Sequence, residues 1–328
     1  MAEQVRKLLG LFRPEDRVLV AIAVDPDSMA SALAVKRLLW RKVAEVRIAT
    51  ATATVRPDNI AMIRLLRIPL EKLGELELGR FTRVVMVDSQ PSHHEEFGLL
   101  PRVDVVIDHH PLGGGLEGVK LVDVRPRYGA TSTIMTEYLR GAKITPSARL
   151  ATALVYGIKT DTAGFSRPAL EQDVAAFRFL FPRAEQSVLR KIEFSEMRLG
   201  DLALLQRALE RFELRRHFLF VHMGKVADPD GLVQLADFFL KVDVVDGCAV
   251  SGVCEGKLIV ILRNASWREN AGKLAQRAFG ELGTAGGHKA LARAEIPLEA
   301  LARLKPAEDP DRLGRWVMRR LQRARSGR

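Results

Sequence analysis

VLVAIAVDPDSMASALAVKRLLW, residues 18–40, decides how the first half of the chain is read. Its first seven residues are apolar without interruption, the pattern of a strand buried on both faces, and from Met29 the apolar positions recur at helical spacing. A short polar step, Asp25-Pro26-Asp27, separates the two. The same alternation continues downstream. Residues 46–50, 83–87 (RVVMV) and 103–107 (VDVVI) read as further buried strands, and residues 58–66, 131–140 and 147–158 as helices. Strand and helix in repeated alternation predict an α/β fold, a parallel sheet with helices on both faces that binds ligands at the carboxyl ends of its strands.

Beyond residue 183 the pattern changes to one long charged helical stretch reaching residue 215, read as a connector with a break expected at Gly200. Strands over 217–223, 242–250 and 258–262, with helices over 231–240 and 269–281, then predict a smaller α+β domain. The expected organisation is a first domain over residues 1–185, a helical connector over 186–214, a second domain over 215–305 and a basic tail over 306–328.

With 328 residues, 47% hydrophobic and 28% charged, the chain has the make-up of a globular protein of two domains, and disordered and fibrous classes are excluded. No apolar run approaches the roughly 18 residues of a membrane span. The first residues offer no small-residue cleavage site, and the two cysteines, Cys248 and Cys254, cannot form a disulfide framework, so a cytoplasmic location is expected. The net charge of +11 calls for an anionic partner, with nucleic acid or phosphorylated small molecules foremost. Seven arginines and no acids lie between residues 312 and 328, where Leu313, Trp316, Val317 and Leu321 recur at helical spacing. Two readings stay open there: a solvated terminal helix docked by its apolar stripe, or a contact with a phosphate backbone.

Four acidic clusters follow strands or a helix in the first domain: Asp25 with Asp27, Asp88, Asp108 with His109 and His110, and Asp161. One such aspartate is an ordinary cap or turn residue. Four at the carboxyl ends of one parallel sheet repel one another unless cations hold them, and carboxylates joined by an imidazole favour Mn²⁺ or Mg²⁺ over a thiolate-seeking Zn²⁺.

The order DPDSMAS, VVMVDSQ, VIDHHP and YGIKTDTAGF resembles the four motifs of the DHH phosphoesterase superfamily, which includes RecJ-like exonucleases, oligoribonucleases of the nanoRNase type and class C-like inorganic pyrophosphatases. GATSTI at residues 129–134 resembles the helix-opening segment after the Asp-His-His motif. ILRN at 261–264 and TAGGHKALA at 284–292 are similar to signatures of the DHH-associated C-terminal domain. The resemblance implies a two-metal site in which Asp88 bridges two ions, Asp27, His109 and Asp161 complete one, and Asp25 serves the other. It further implies that Asp108 orients the neighbouring imidazole, that His110 faces the substrate as a donor, and that Arg263, Gly286, Gly287, His288 and Lys289 grip a substrate phosphate. A pair of ions lowers the pKa of a water and stabilises attacking and leaving oxygens in displacement at phosphorus.

One departure stands out: the family's first motif carries a histidine four residues before its first aspartate, and this chain has Ala21 there. Three accounts stay open: a water in the vacant position, a substitute from His93 or His94, or a weak or absent second metal in a protein that only binds nucleotides. The size class implies short oligoribonucleotides or 3′,5′-bisphosphate nucleotides as substrates, hydrolysed to nucleoside monophosphates, with cyclic or linear dinucleotides next. Expected partners are that RNA or nucleotide, RNA at the arginine-rich tail, no membrane, and a homodimer is kept open.

Overall fold

A computed structural model describes residues 1–52, 56–195, 199–267, 269–302 and 309–326. The chain divides into two compact units, Met1–Glu196 and Met197–Arg328. The first contains, in order, α1 (Ala2–Leu9), β1 (Arg17–Ile22), α2 (Pro26–Leu38), β2 (Glu45–Thr50), α3 (Pro57–Leu65), β3 (Leu70–Lys72), β4 (Arg83–Val87), β5 (Val105–Asp108), β6 (Leu121–Val124), α4 (Thr131–Gly141), α5 (Ala148–Asp161), α6 (Glu171–Leu180) and α7 (Gln186–Glu193). Its six strands form a wholly parallel sheet in the order β3-β2-β1-β4-β5-β6. The α/β expectation holds, and β3 and β6 are strands that the apolar pattern did not reveal. Leu121–Val124 is only partly buried at the sheet edge, so it lacks the continuous apolar run of a central strand.

The order of strands reverses between β1 and β4. Successive strands step one way from β1 to β3 and the other way from β4 to β6, which opens a crevice at the carboxyl ends of β1 and β4. The sheet is covered by two apolar layers. Val18, Val20 and Ile22 face a layer with α2, α4 and α5, while Leu19 and Ala21 face one with Ala49, Val84, Met86, Phe97 and Val106. The first residues of α2 are set by a reciprocal cap: Ser28 N–H donates to Asp25 Oδ1 at 2.7 Å and Asp25 N–H donates to Ser28 Oγ at 3.0 Å. Pro26 at the first helical turn adds to that start.

The second unit contains α8 (Leu199–Leu209), β7 (Glu213–Arg215), β8 (Phe218–Lys225), α9 (Asp230–Phe239), β9 (Gly247–Cys254), β10 (Lys257–Asn264), α10 (Ala271–Phe279), β11 (Thr284–Gly287), β12 (Leu291–Pro297), α11 (Leu298–Ala302) and α12 (Pro310–Ser326). Its sheet runs β11-β12-β10-β9-β8-β7 and is antiparallel except between β8 and β9, which α9 joins. The strand expected over 242–250 begins only at Gly247. Val242 and Val244 stand exposed in turns closed by Val242 N–H to Phe239 O and Val245 N–H to Val242 O.

The structure divides the connector expected over 186–214. Gln186–Glu193 is amphipathic and buries Leu189 and Ile192 in the first core, whereas Leu199–Leu209 buries Ala208 in the second; residues 196–198 lie outside the described residues. The tail expected over 306–328 docks by its apolar stripe, one of the two readings open for it. Within it Pro310–Ser326 is a helix whose Leu313, Val317 and Leu321 are buried in the second core beside Phe279 and Leu301. Residues 303–308 and 327–328 lie outside the described residues.

Gly157 brings α5 against α2. A Cβ at this position would lie 2.5 Å from Ser132 Oγ and 3.0 Å from Asp27 Cα. Gly157→Ala is therefore expected to cost about 1–3 kcal/mol through overpacking, read as a lower midpoint in thermal unfolding. Gly200→Ala, in open space on α8, should instead be neutral or stabilising by up to about 1 kcal/mol.

Candidate metal centre

The crevice between β1 and β4 collects the acidic clusters. Asp88 follows β4 in the left-handed region, at φ 57, where its N–H donates to Ile107 O at 2.9 Å and extends the pairing with β5 by one residue. This turns its buried side chain across the crevice. Thr131 Oγ1 donates to Asp88 Oδ1 at 2.9 Å, while Oδ2 is buried with no hydrogen-bond partner. Asp27, in the first turn of α2 and fully buried, receives Thr131 N–H on Oδ2 at 2.6 Å and Ser132 N–H on Oδ1 at 2.7 Å. Those amides open α4, whose N-cap residue Ala130 has no side-chain cap, so Asp27 performs that service from a distant part of the chain.

His109 follows β5, and its Nδ1 lies 3.1 Å from Tyr128 O, a partner that can only accept. The neutral ring then carries its proton on Nδ1 and leaves the lone pair on Nε2. That nitrogen faces Asp161 Oδ2 at 3.1 Å and Asp88 Oδ1 at 3.5 Å. Asp161 is the last residue of α5, which runs three residues beyond the helix expected to stop at Ile158. Ligand atoms of Asp27, Asp88, His109 and Asp161 all lie within 4.8 Å of one another. A six-coordinate Mg²⁺-sized ion with bonds of about 2.1 Å spaces its ligands by roughly 3–4 Å, so this set of three carboxylates and one imidazole fits a divalent cation. The orphaned Asp88 Oδ2 and the lone pair of His109 supply the acceptors such an ion needs.

Other expected residues take different places. Asp25, expected to serve a second ion, caps α2 and lies outside the four-residue set among the described residues. Ala21 is fully buried in the apolar layer with Leu19, Ala49 and Met86. Asp108 holds the ring of His110 rather than that of His109: its Oδ1 lies 2.9 Å from His110 Nδ1 and accepts from the His109 and His110 backbone amides. His93 stands edge-on to His110 with ring centres 5.6 Å apart, and its ligand atoms fall within reach of Asp108 and His110. Its Nδ1 accepts from Gln90 N–H at 3.3 Å, which leaves the proton on Nε2 and makes the neutral ring a donor rather than a metal ligand. His94 packs on Phe97.

Sequence reasoning passed over Gln90. Fully buried, it donates to Asp108 Oδ2 at 2.6 Å and to Pro111 O at 3.0 Å, and accepts from Gly113 N–H at 2.6 Å, tying together the two loops that carry the histidines. A glutamine directly after an Asp-Ser step offers no periodic signal, and only the fold shows its three partners.

In the second unit, Gly286 and Gly287 are paired in β11 opposite Arg293 and Ala292. Gly287 has φ 143 and touches the Leu291–Ala292 backbone so closely that a Cβ would overlap it. His288 and Lys289 are exposed, and their carbonyls accept Gly272 N–H and Ala271 N–H at the start of α10. Arg263 is engaged: its Nε donates to Asp237 Oδ1 at 2.6 Å. Cys248 and Cys254 are free and buried, and burial pushes the Cys248 thiol up to about 12.

Ionisation in the crevice follows from burial and crowding. Burial and then the charge of Asp161 raise Asp27 to about 6, and burial with the charges of Asp25, Asp27 and Asp161 holds Asp88 well above the ordinary carboxylate range. Burial opposes a charged His109, but its contact with Asp161 and the charge of Asp27 outweigh that and hold it at about 9. Hydrogen bonding to Asp108 raises His110. A proton on Asp27 or on His109 Nε2 occupies the place a cation would take. Mn²⁺ affinity measured by calorimetry is thus expected to rise with pH through about 6, as Asp27 loses its proton, and to continue rising toward 9; a flat affinity over that range would contradict the crowding.

Residues 17–158 match the family model described as DHH family, N-terminal domain. The chain is 34% identical over 282 residues to the uncharacterized protein MJ1633 of Methanocaldococcus jannaschii, covering 86% of this chain and 58% of that protein. It thus spans little more than half the length of that relative. Among solved structures it shares its fold with an exopolyphosphatase-related protein from Bacteroides fragilis, at TM-score 0.72 and 13% identity, covering 99% of this chain and 97% of that one. RecJ from Thermus thermophilus in complex with Mn²⁺ follows at TM-score 0.56 and 17% identity, covering 97% of this chain and 55% of that one. The matched segment runs from β1 into α5, where the acidic crevice is built, so residues 17–158 of this chain form an N-terminal domain of the DHH family.

Proposed function

We propose that the chain is a metal-dependent phosphodiesterase that hydrolyses short oligoribonucleotides or 3′,5′-bisphosphate nucleotides to nucleoside monophosphates, with Mn²⁺ or Mg²⁺ held by Asp27, Asp88, His109 and Asp161. The observation that carries the reading is the close ligand set, in which Asp88 Oδ2 and His109 Nε2 are both buried without a hydrogen-bond partner. A cation held by these four residues would lower the pKa of a water and offset the charge of the phosphoryl oxygens.

The chain's own groups do the rest. The α4 amides fix both oxygens of Asp27, and Tyr128 O fixes the tautomer of His109. Asp108 holds His110 by Nδ1 and favours its charged form, so the partly exposed ring presents Nε2–H to a phosphoryl oxygen or a departing alkoxide. Gln90 keeps Asp108 from turning away. Of the two ions expected, the four-residue set supports one; for the other, Asp25 gives its Oδ1 to the α2 cap and position 21 offers only a methyl group within an apolar layer. The two free buried cysteines support a reducing, cytoplasmic compartment.

That weakness of the second position also favours another reading, a nucleotide-binding protein of the same fold without turnover. The assay uses Mn²⁺ and a labelled dinucleotide. Turnover by the wild type is expected, with none in Asp88→Asn, and with kcat about 10²–10⁴-fold lower and KM little changed in His110→Gln. A wild type that binds the dinucleotide but never cleaves it would sink the enzyme reading.

A further inference from the structure

The helix α12 carries an arginine stripe that neither the core nor the metal centre uses. Leu313, Val317 and Leu321 take one side of the helix into the second core. Arg312, Arg315, Arg319 and Arg323 are all exposed, and at 100° per residue they fall within an arc of about 80° on the opposite side. Eleven residues at 1.5 Å each spread them over about 16 Å in nearly even steps.

The other arginines of the helix have structural partners. Arg320 donates to Ala278 O, and Arg325 bonds Glu269 Oε1 at 2.9 Å while lying 4.3 Å from the centre of the Phe218 ring. On the stripe, Arg312 makes only a loose, exposed pair with Asp309 at 3.5 Å, and Arg315, Arg319 and Arg323 have no acidic partner among the described residues. Four like charges in a row repel one another, a cost that an exposed helix avoids by interspersing acids at i+3 or i+4.

We propose that this stripe is a track for the phosphate backbone of RNA longer than a dinucleotide. Its evenly stepped guanidinium groups suit repeated bidentate contacts with phosphate, and all four positions are arginine rather than lysine. An amphipathic helix that enters a lipid surface must offer its apolar side, and here that side is already buried in the protein core, which favours nucleic acid over membrane. The track needs no cation and stands whether or not the metal centre turns substrate over.

The test measures binding of the full chain to a fluorescein-labelled RNA of about 20 nucleotides by anisotropy, in EDTA so that nothing is cleaved, across roughly 50–200 mM KCl. The triple variant Arg315→Gln, Arg319→Gln, Arg323→Gln is compared with Lys42→Gln, Arg149→Gln, Arg190→Gln, which removes as much charge from exposed positions of the first unit. Losing three contacts to a single strand should flatten the slope of log affinity against log salt by about 2 and weaken binding at least roughly tenfold at about 150 mM, in the stripe variant alone. A matching triple Arg→Lys variant should keep most of the slope, which separates loss of contacts from loss of folding. Equal losses in both glutamine variants would reduce the effect to net charge and overturn the proposal. So would unchanged RNA binding in the stripe variant, or stripe-dependent binding to phosphatidylserine vesicles with none to RNA. Failure of dinucleotide hydrolysis alongside stripe-dependent RNA binding would count against the catalytic reading alone.

Discussion

Three carboxylates, Asp27, Asp88 and Asp161, are brought within 4.8 Å of one another at the point where the strand order of the parallel sheet reverses. Like charges at that distance with little water between them are strongly unfavourable. The surrounding structure is an answer to this constraint. Two amides at the start of α4 bind Asp27, a threonine hydroxyl binds Asp88, and an imidazole stands between Asp88 and Asp161. These partners compensate in part, which is why Asp27 still rises to about 6 and one oxygen of Asp88 remains bare. A divalent cation would compensate the remainder, and the same uncompensated charge that burdens the metal-free fold is what would draw it in.

The geometry reaches outward from that point. Gly157 lets α5 approach α2 closely enough to set Asp161 and Asp27 against one another, and Asp88, in a left-handed turn, meets Thr131 at 2.9 Å and His109 at 3.5 Å. Gln90 joins the loop after β4 to the loop after β5, so the histidines on the two loops keep their spacing. The pieces are far apart in sequence and near in space because every one of them sits at the carboxyl end of a parallel strand or at the end of a helix packed on it.

The strands over Arg17–Ile22 and Arg83–Val87 were legible as continuous apolar runs, and so were the acidic residues that follow them. Asp161 was legible as an acid, but the three extra residues of α5 that aim it were not, since Lys159 and Thr160 look like a turn until the helix is seen to carry them. Asp25 reads as a ligand from its motif and serves as a cap in the fold, two roles that the same Asp-Pro-x-Ser spelling satisfies. The stretch from residue 183 to 215 reads as a helical connector whose break falls at Gly200, because its charges and apolar residues keep helical spacing and that glycine is its one turn signal. Which core each half joins depends on surfaces elsewhere in the chain.

By itself the sequence determined the alternating architecture, the acidic and histidine residues that stand at the strand ends and the concentration of positive charge near the carboxyl end, because these rest on local periodicity and on residue chemistry. Only the tertiary structure decided that Asp27 caps a helix about a hundred residues away, that Asp108 holds His110 while a carbonyl holds His109, and that α12 is a wall of the second core with four arginines turned outward. The physical reason is common to all three. Hydrogen-bond partners and exposure are properties of where a group lies in space, and residues that close a buried charge network or cover an apolar face are chosen by packing across the fold, not by their neighbours along the chain.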